Sequence, residues 1–435
     1  MSEERVFHPQ FGWGLIKRTR HGGFNLEVTF EDGITRWVRL DEVKEGGDHP
    51  TESRIPSSEP RVFLNDERLK SRRMIEAFRL GIVPYDCVDE FTFGREKEYR
   101  QVKNWLKSLK DNILFVIGDY GTGKTHLLHY ARGLALKEKF AVAWVEMDPN
   151  ETPFHKPKRI YKSIVKSLRY RAQRDGVLHG FREFIEEVLF AGYFDDHIYF
   201  KYLKGKTDNE NIWRWIEAQE PANIRPFTED YPYLSIPGLY DYSNAANIYC
   251  YLLSSLGWAA KNALGLRGLL LIFDEAETID MNYSTHQRLQ SYNFMEALYQ
   301  TSLNKAELLD KPYGSGLNYC IRGMAQQVPF LYKSSSYLKL IFAFTSIKFI
   351  PLKFIFSDPM IELAPLTDEV LRQVFEQICL LYKSSYDFSA DSRITDAVFE
   401  NINTKVECIR LFVKASVEAM DLIRFHSGDF LNQEF

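Results

Sequence analysis

Residues 110–125 read KDNILFVIGDYGTGKT, and the order of residue types in this stretch decides the fold. The apolar run Ile113–Ile117 has the length of a buried strand. Gly118, Asp119, Tyr120, Gly121, Thr122, Gly123, Lys124 and Thr125 then match GxxxxGK(S/T) in full, and the pattern runs on as a helix over Thr125–Phe140. Strand, glycine-rich loop and helix in that order make a phosphate-binding loop. Its glycines let backbone N–H groups curl around phosphates at the positive end of the following helix. Lys124 supplies a point charge for the β- and γ-phosphates, and the Thr125 hydroxyl ligates Mg²⁺. These eight residues, with the adjoining His126, are the expected contacts to ATP. A glycine-rich turn with a chance lysine would not explain why strand, loop and helix agree.

The matching half lies downstream, where Gly268-Leu-Leu-Leu-Ile-Phe273 precedes Asp274-Glu275. A buried strand ending in an acidic pair delivers Asp274 to the Mg²⁺ shell and Glu275 to an attacking water. Acidic pairs at strand ends are common, so this motif gains its weight from the phosphate loop upstream. Together they predict ATP hydrolysis. A third strand, Leu338–Ser346, ends in Thr345 and Ser346, which either sense the γ-phosphate or cap the strand.

At 435 residues the chain exceeds what one hydrophobic core usually organises, which predicts two or three domains. A formal net charge of -4 gives no global attraction to nucleic acid, so any such contact needs a local patch. Five cysteines lie far apart without a CxxC pair, which argues against a zinc site or a disulfide framework. The start, MSEERVFHPQ, lacks the charged-then-apolar pattern of a signal peptide, and no apolar run is long enough to span a bilayer. The expectation is a soluble, cytoplasmic protein.

Alternating strand and helix signals from Arg61 predict a parallel α/β sheet covered by helices. The strands are expected at Lys110–Gly118, Ala141–Asp148, Gly265–Asp274 and Leu338–Ser346, with a helix over Arg159–Arg174. The aromatic-rich stretch at 175–264 reads as a helical insertion, with helices at Phe181–Phe190, Asn211–Ala218 and Asn244–Ala263. Residues 61–362 are thus expected to form the ATPase core and 363–435 a helical lid.

Phe93-Gly-Arg95-Glu96 resembles the "GRE" motif of Orc/Cdc6-like AAA+ ATPases. Thr152-Pro-Phe with Arg159–Ile164, and Leu363-Ala-Pro-Leu-Thr367, are similar to two further segments of that family. Arg72–Pro84, running on to Glu96, resembles the BrxD-type ATP-binding proteins of BREX phage-defence systems, a likeness covering roughly Arg61 to Ile423. The resemblance implies an AAA+ fold, an ATPase working beside helicase-like defence proteins, and an Arg95 near the nucleotide. The lid departs from the pattern: Val406 stands where the family's sensor arginine is expected, leaving Arg410 or Lys405 as substitutes. No arginine occurs from Gly323 to Leu371, so a finger acting across a homo-oligomer either comes from Arg288 or Arg322 or is missing.

Two features point to macromolecular partners. Residues 1–44 show short alternating runs with glycine turns, followed by a Gly-, Pro- and Ser-rich linker at 45–60. The motif Val6–Leu15 with Val28–Gly33 and Trp37 resembles the Tudor/SH3-like barrels of CarD-type factors and repair helicases, which implies docking to RNA polymerase or another protein. Phe11, Trp13 and Trp37 either form that docking surface or, as for Phe30 and Trp37, fill the small core. Over Thr152–Arg174, Lys158, Lys162 and Lys166 recur every four residues on one expected helix face, with Arg169 beyond. That stripe is either a solvated face or a site for the phosphates of double-stranded DNA.

Overall fold

The computed structural model describes residues 5–8, 11–20, 25–30, 35–39, 43–45, 66–81, 88, 91–173, 176–220, 236–240, 246–281, 284–310, 328–349, 358–406 and 408–425. The chain divides into two compact units, Met1–Phe63 and Leu64–Phe435.

In the first unit, β1 (Arg5–His8), β2 (Gly12–Arg20), β3 (Asn25–Phe30), β4 (Thr35–Arg39) and β5 (Lys44–Glu45) form an antiparallel sheet ordered β4-β3-β2-β1-β5. Alternate residues Leu26, Val28 and Phe30 of β3 join Val6 and Val38 in its core. A bulge between Ile16 and Arg18 shifts the β2–β3 register. Edge strands β4 and β5 do not pair with each other among the described residues, so the sheet is not closed into the expected barrel by hydrogen bonds. Phe30 is core, whereas Trp13 is 37% exposed and Phe11 is half-buried, stacked on His8 at 4.5 Å. The Trp37 side chain and the linker after Glu45 lie outside the described residues.

The second unit opens with α1 (Asp66–Arg79) and α2 (Glu96–Lys107). Then come β6 (Ile113–Ile117), α3 (Lys124–Lys137), β7 (Ala141–Glu146), α4 (Pro157–Ser167), β8 (Tyr170–Arg171) and β9 (Leu178–His179). Helices α5 (Phe181–Phe190), α6 (Glu210–Ile216) and α7 (Ala246–Asn262) precede β10 (Leu269–Asp274), α8 (Thr285–Ser302), β11 (Leu338–Phe344) and β12 (Met360–Glu362). The chain closes with α9 (Asp368–Tyr386), α10 (Ser392–Lys405) and α11 (Ile409–Phe425).

Five parallel strands order as β12-β6-β11-β10-β7. Their continuous apolar runs are what a parallel sheet covered on both faces requires. Period-two alternation splits each strand between two cores. Leu114, Val116, Leu270, Ile272 and Ile341 face α2 and α3, while Phe115, Leu269, Leu271, Phe273 and Phe342 face the larger core under α4 and α7. Truncating one of these leucines to alanine costs about 2–5 kcal/mol by the usual cavity arithmetic.

One expectation changes here. The helix expected over Arg159–Arg174 stops at Ser167, because Arg169 pairs its backbone with Val142 and the chain turns into the β8–β9 hairpin. Among the described residues the aromatic-rich stretch at 175–264 supplies much of the core, although Phe190 is 96% exposed. Phe184, Tyr199, Phe200, Trp213 and Tyr249 are buried in the larger core, and helix α7 lies almost wholly inside it against β10 and β11.

The C-terminal helices, expected as a lid, share their core with α1 from the start of this unit. Met74, Ile75 and Phe78 of α1 pack with Phe375, Ile378, Tyr382, Phe412 and Met420 of α9 and α11. Arg79 locks this arrangement, donating from Nε and Nη2 to the two Asp421 carboxyl oxygens at 2.9 and 2.7 Å. Burial alone would raise the Asp421 carboxyl, but the hydrogen bonds from Arg79 and Tyr382 bring it below its ordinary range. Because the folded pKa is depressed, its contribution is present above the unfolded pKa and lost as pH falls through the folded value. Asp421→Asn is therefore expected to lower the unfolding free energy by about 2 kcal/mol at neutral pH, with the deficit shrinking in acid. Urea midpoints at pH 7 and pH 3.5 check this; equal midpoints at pH 7 would discount the pair.

Candidate nucleotide site

The motifs meet because of strand order. β11 lies between β6 and β10, so the loop after β6 and the end of β10 flank it at the carboxyl edge of the sheet. This is the edge at which open parallel sheets place their ligand crevice. Thr125 Oγ1, in the first turn of α3, donates to Asp274 Oδ2 at 2.9 Å and joins the two motifs. A cavity of about 470 Å³ opens here, lined by Gly121–His126, Asp274, Glu275, Thr345 and Arg410 among others.

The loop conformation demands its glycines. Gly121 has φ +79, and a Cβ there would overlap Cys408 of the lid; Gly123 has φ +96 at the N-cap of α3. The Lys124 ammonium folds onto the loop, donating to the carbonyls of Gly118 at 2.6 Å and Asp119 at 3.1 Å. Thr122 Oγ1 also donates to Asp119 O, at 2.8 Å. Gly118 and Asp119 thus offer carbonyls to Lys124, while Tyr120 stands 72% exposed at the rim. Burial lowers the Lys124 pKa, opposed by the nearby carboxylates of Glu277, Asp274, Asp119 and Glu275.

The acidic pair divides its environment. Asp274 is buried, which raises its carboxyl against the Thr125 hydroxyl and the Glu275 N–H, which donates to Oδ1 at 3.0 Å. Glu275 is exposed, with φ 54 and ψ 39 in the left-handed region. For a non-glycine residue this conformation costs about 1 kcal/mol or more, and such strain concentrates where a side chain must be aimed. Partial burial raises its carboxyl, and Asp274, Glu277 and Glu146 add to the shift. The donors suit Mg²⁺. One hydroxyl and one carboxylate, both hard oxygens, are what this ion takes from protein when phosphates and waters complete its shell. Among the described residues no group of three or more His, Cys, Asp or Glu is placed to hold a metal.

Thr345 and Ser346 part company. Thr345 lines the cavity, whereas Ser346 Oγ accepts from the Lys348 N–H at 3.4 Å in the next turn, the capping alternative. Arg95 lines the cavity too, yet its guanidinium donates to Thr122 O at 3.0 Å and Ala364 O at 2.6 Å, bracing the loop against the segment before α9. Arg410 sits in the first turn of α11 beside Gly81, while Val406 caps α10. Arg288 is paired with Asp280 at 2.8 Å, and Arg322 lies outside the described residues.

Sequence reasoning missed several walls of the cavity. Glu146 lies opposite Asp274 in the β7–β10 register, so strand pairing would have found it. Glu277 is 5% exposed, two residues past Glu275. Phe91, Phe93, Val374 and Val413 form an apolar end that only tertiary packing assembles.

The basic stripe loses two of its four members. Lys158 is buried, with Nζ donating to Glu220 O at 2.6 Å, because its turn of α4 faces the packed segment after α6. Arg169 lies past the helix end and donates to the carbonyls of Lys166 and Leu168. Lys162 and Lys166 remain exposed on α4.

No helix among the described residues is long and apolar enough to cross a membrane. No curated protein matches the chain. Among solved structures it is similar to a DNA replication initiation factor, at 13% identity and TM-score 0.35, covering 78% of this chain and 64% of that one. The chain thus spans just under two thirds of that protein's length. It is similar to the Walker-type ATPase PABY2304 of Pyrococcus abyssi, at 11% identity, TM-score 0.39 and 79% and 75% coverage. It is also similar to the replication initiator DnaA bound to AMPPCP and single-stranded DNA, at 13% identity, TM-score 0.35 and 79% and 66% coverage. Residues 67–192, from α1 through the phosphate loop to just past α5, match the family described as BREX system ATP-binding protein BrxC/D.

Proposed function

We propose that this chain is a Mg²⁺-dependent AAA+ ATPase of a BREX-type anti-phage system, acting as a DNA-associated switch or remodeller. The observation that carries the ATPase reading is the Thr125–Asp274 hydrogen bond, which joins the phosphate loop to the acidic strand end. The family match at residues 67–192 supports the defence setting.

In this reading the loop N–H groups and Lys124 hold the β- and γ-phosphates, and Lys124 exchanges its loop carbonyls for phosphate oxygens. Thr125 and Asp274 hold Mg²⁺, which neutralises charge on the transferring phosphoryl group when bound. Glu275 accepts the proton of the attacking water, and Thr345 orients that water. Arg410 reaches the nucleotide from the lid. Lys162 and Lys166 meet duplex phosphates, and the first unit docks RNA polymerase or another protein through the side of its sheet that carries Trp13. One observation favours a slower, nucleotide-gated scaffold instead: Arg288 is engaged by Asp280 within its own chain rather than offered to a neighbour.

Lys124→Ala is expected to abolish ATP binding, while Glu275→Gln binds ATP and loses at least about a hundredfold in turnover. Calorimetry paired with phosphate release reads both, and normal turnover in the Gln variant would remove Glu275 from the mechanism. The pH profile follows from the raised Glu275 carboxyl. Protonation removes the base, so kcat falls as pH drops, with an acid limb above the ordinary glutamate range. A limb at or below that range would contradict the assignment. Reversing Lys162 and Lys166 to Glu is expected to weaken duplex binding and reduce its salt slope by about 2. Unchanged binding across a salt titration would leave α4 a solvated face.

A further inference from the structure

The C-terminal helices meet the cavity at two glycines. Gly121 of the phosphate loop faces Cys408, and Gly81, in the turn that ends α1, faces Arg410 and Lys414. Both glycines have positive φ, +79 and +68, and both line the cavity. The start of α11 is therefore wedged between the loop and the end of α1. A Cβ at Gly81 would lie 2.9 Å from Arg410 Cγ and 3.3 Å from both Arg410 Nε and Lys414 Cδ. The Arg410 side chain thus crosses the Gly81 backbone from Cγ to Nε, in space that exists because residue 81 has no side chain.

The charges here are unfavourable for α11 by itself. Arg410 stands in the first turn, at the positive end of the helix, and that turn has no acidic residue. Lys414 follows at i+4, so the two cations share a face and repel. Other arginines of this bundle are engaged by carboxylates: Arg79 by Asp421, and Arg372 by Asp396 and Glu400. Arg410 and Lys414 have no hydrogen bond or ion pair among the described residues. The helix end and the two side chains add up to a positive potential that an anion would neutralise. Arg410 lines the same cavity as Lys124 and Thr125, where the phosphates of a nucleotide would bring that charge.

We propose that Gly81 is the positioning residue for Arg410, leaving the notch across which the side chain lies and so setting its guanidinium against the phosphates of a bound nucleotide. The inference rests on the nucleotide-site reading above. Arg410 contacts the nucleotide; Gly81 acts through it, and makes the end of α1 part of the phosphate site.

Calorimetry of ATP binding to the full chain with Mg²⁺ tests the proposal as a double-mutant cycle. Arg410→Ala is expected to weaken ATP binding by about tenfold to a hundredfold, the usual loss for a hydrogen bond to a charged group. Asparagine tolerates positive φ, so Gly81→Asn keeps the turn while its side chain fills the notch. It is expected to weaken ATP binding by about tenfold in the unsubstituted chain and by less than about twofold in the Arg410→Ala background. Gly81→Ala, which adds a single methyl, gives a second reading of the same cycle. A merely structural role for Gly81 would lower the thermal midpoint of the nucleotide-free protein and weaken ATP by the same factor in both backgrounds. That result, or unchanged ATP binding in both Gly81 variants, would overturn the assignment of Gly81. Unchanged binding in Arg410→Ala would overturn it as well, by removing Arg410 from the site. Failure of the unsubstituted protein to bind ATP would instead overturn the nucleotide-site reading itself.

Discussion

The second unit depends on the register of three strands. β6, β11 and β10 pair in parallel so that Ile117 lies beside Phe344 and Phe273 beside Phe342. All three strands therefore end within about one residue of the same edge. Everything chemical in the cavity follows from that alignment. Each strand is fully buried, so a slip by one residue would turn its apolar set toward the wrong core. The two faces hold different side chains, and neither set fits the other's place. The packing that forbids slippage is thus also what holds a hydroxyl and a carboxylate 2.9 Å apart.

That alignment leaves charge where water would normally screen it. Lys124 is buried among four carboxylates, two of them on consecutive residues, and its ammonium donates to the loop carbonyls of Gly118 and Asp119. Asp274 and Glu275 are both pushed toward their protonated forms by burial. Burial thus sets these groups against their own charged forms at the carboxyl edge of the sheet. The left-handed Glu275 adds a backbone contribution of the same kind.

What could be read from the sequence was local or periodic. The phosphate loop is legible because its chemistry is contiguous: a strand, glycines at positive φ, and a lysine. The β10 motif, five apolar residues and an acidic pair, is legible because the phosphate loop upstream gives a common pattern its meaning. The lid pocket was not legible, since Phe91, Val374 and Val413 come from distant segments whose meeting is decided by packing. The α4 stripe misled for a similar reason. Four-residue spacing fixes a shared face but not which face is solvated, and Lys158 lies where α4 meets the segment after α6.

One consequence concerns the order of synthesis rather than the finished fold. α1 is made before the parallel sheet, yet among the described residues its apolar stripe packs largely on α9 and α11, with Phe78 also against Phe91. The Arg79–Asp421 contact spans 342 residues. At ordinary translation rates the stripe waits roughly twenty seconds to a minute for its partners. During that interval Met74, Ile75 and Phe78 are exposed unless something else covers them. A nascent chain carrying a greasy helix at its front, and needing its own tail to hide it, is a natural client for a holding chaperone. It also cannot be shortened at the tail without leaving that helix bare.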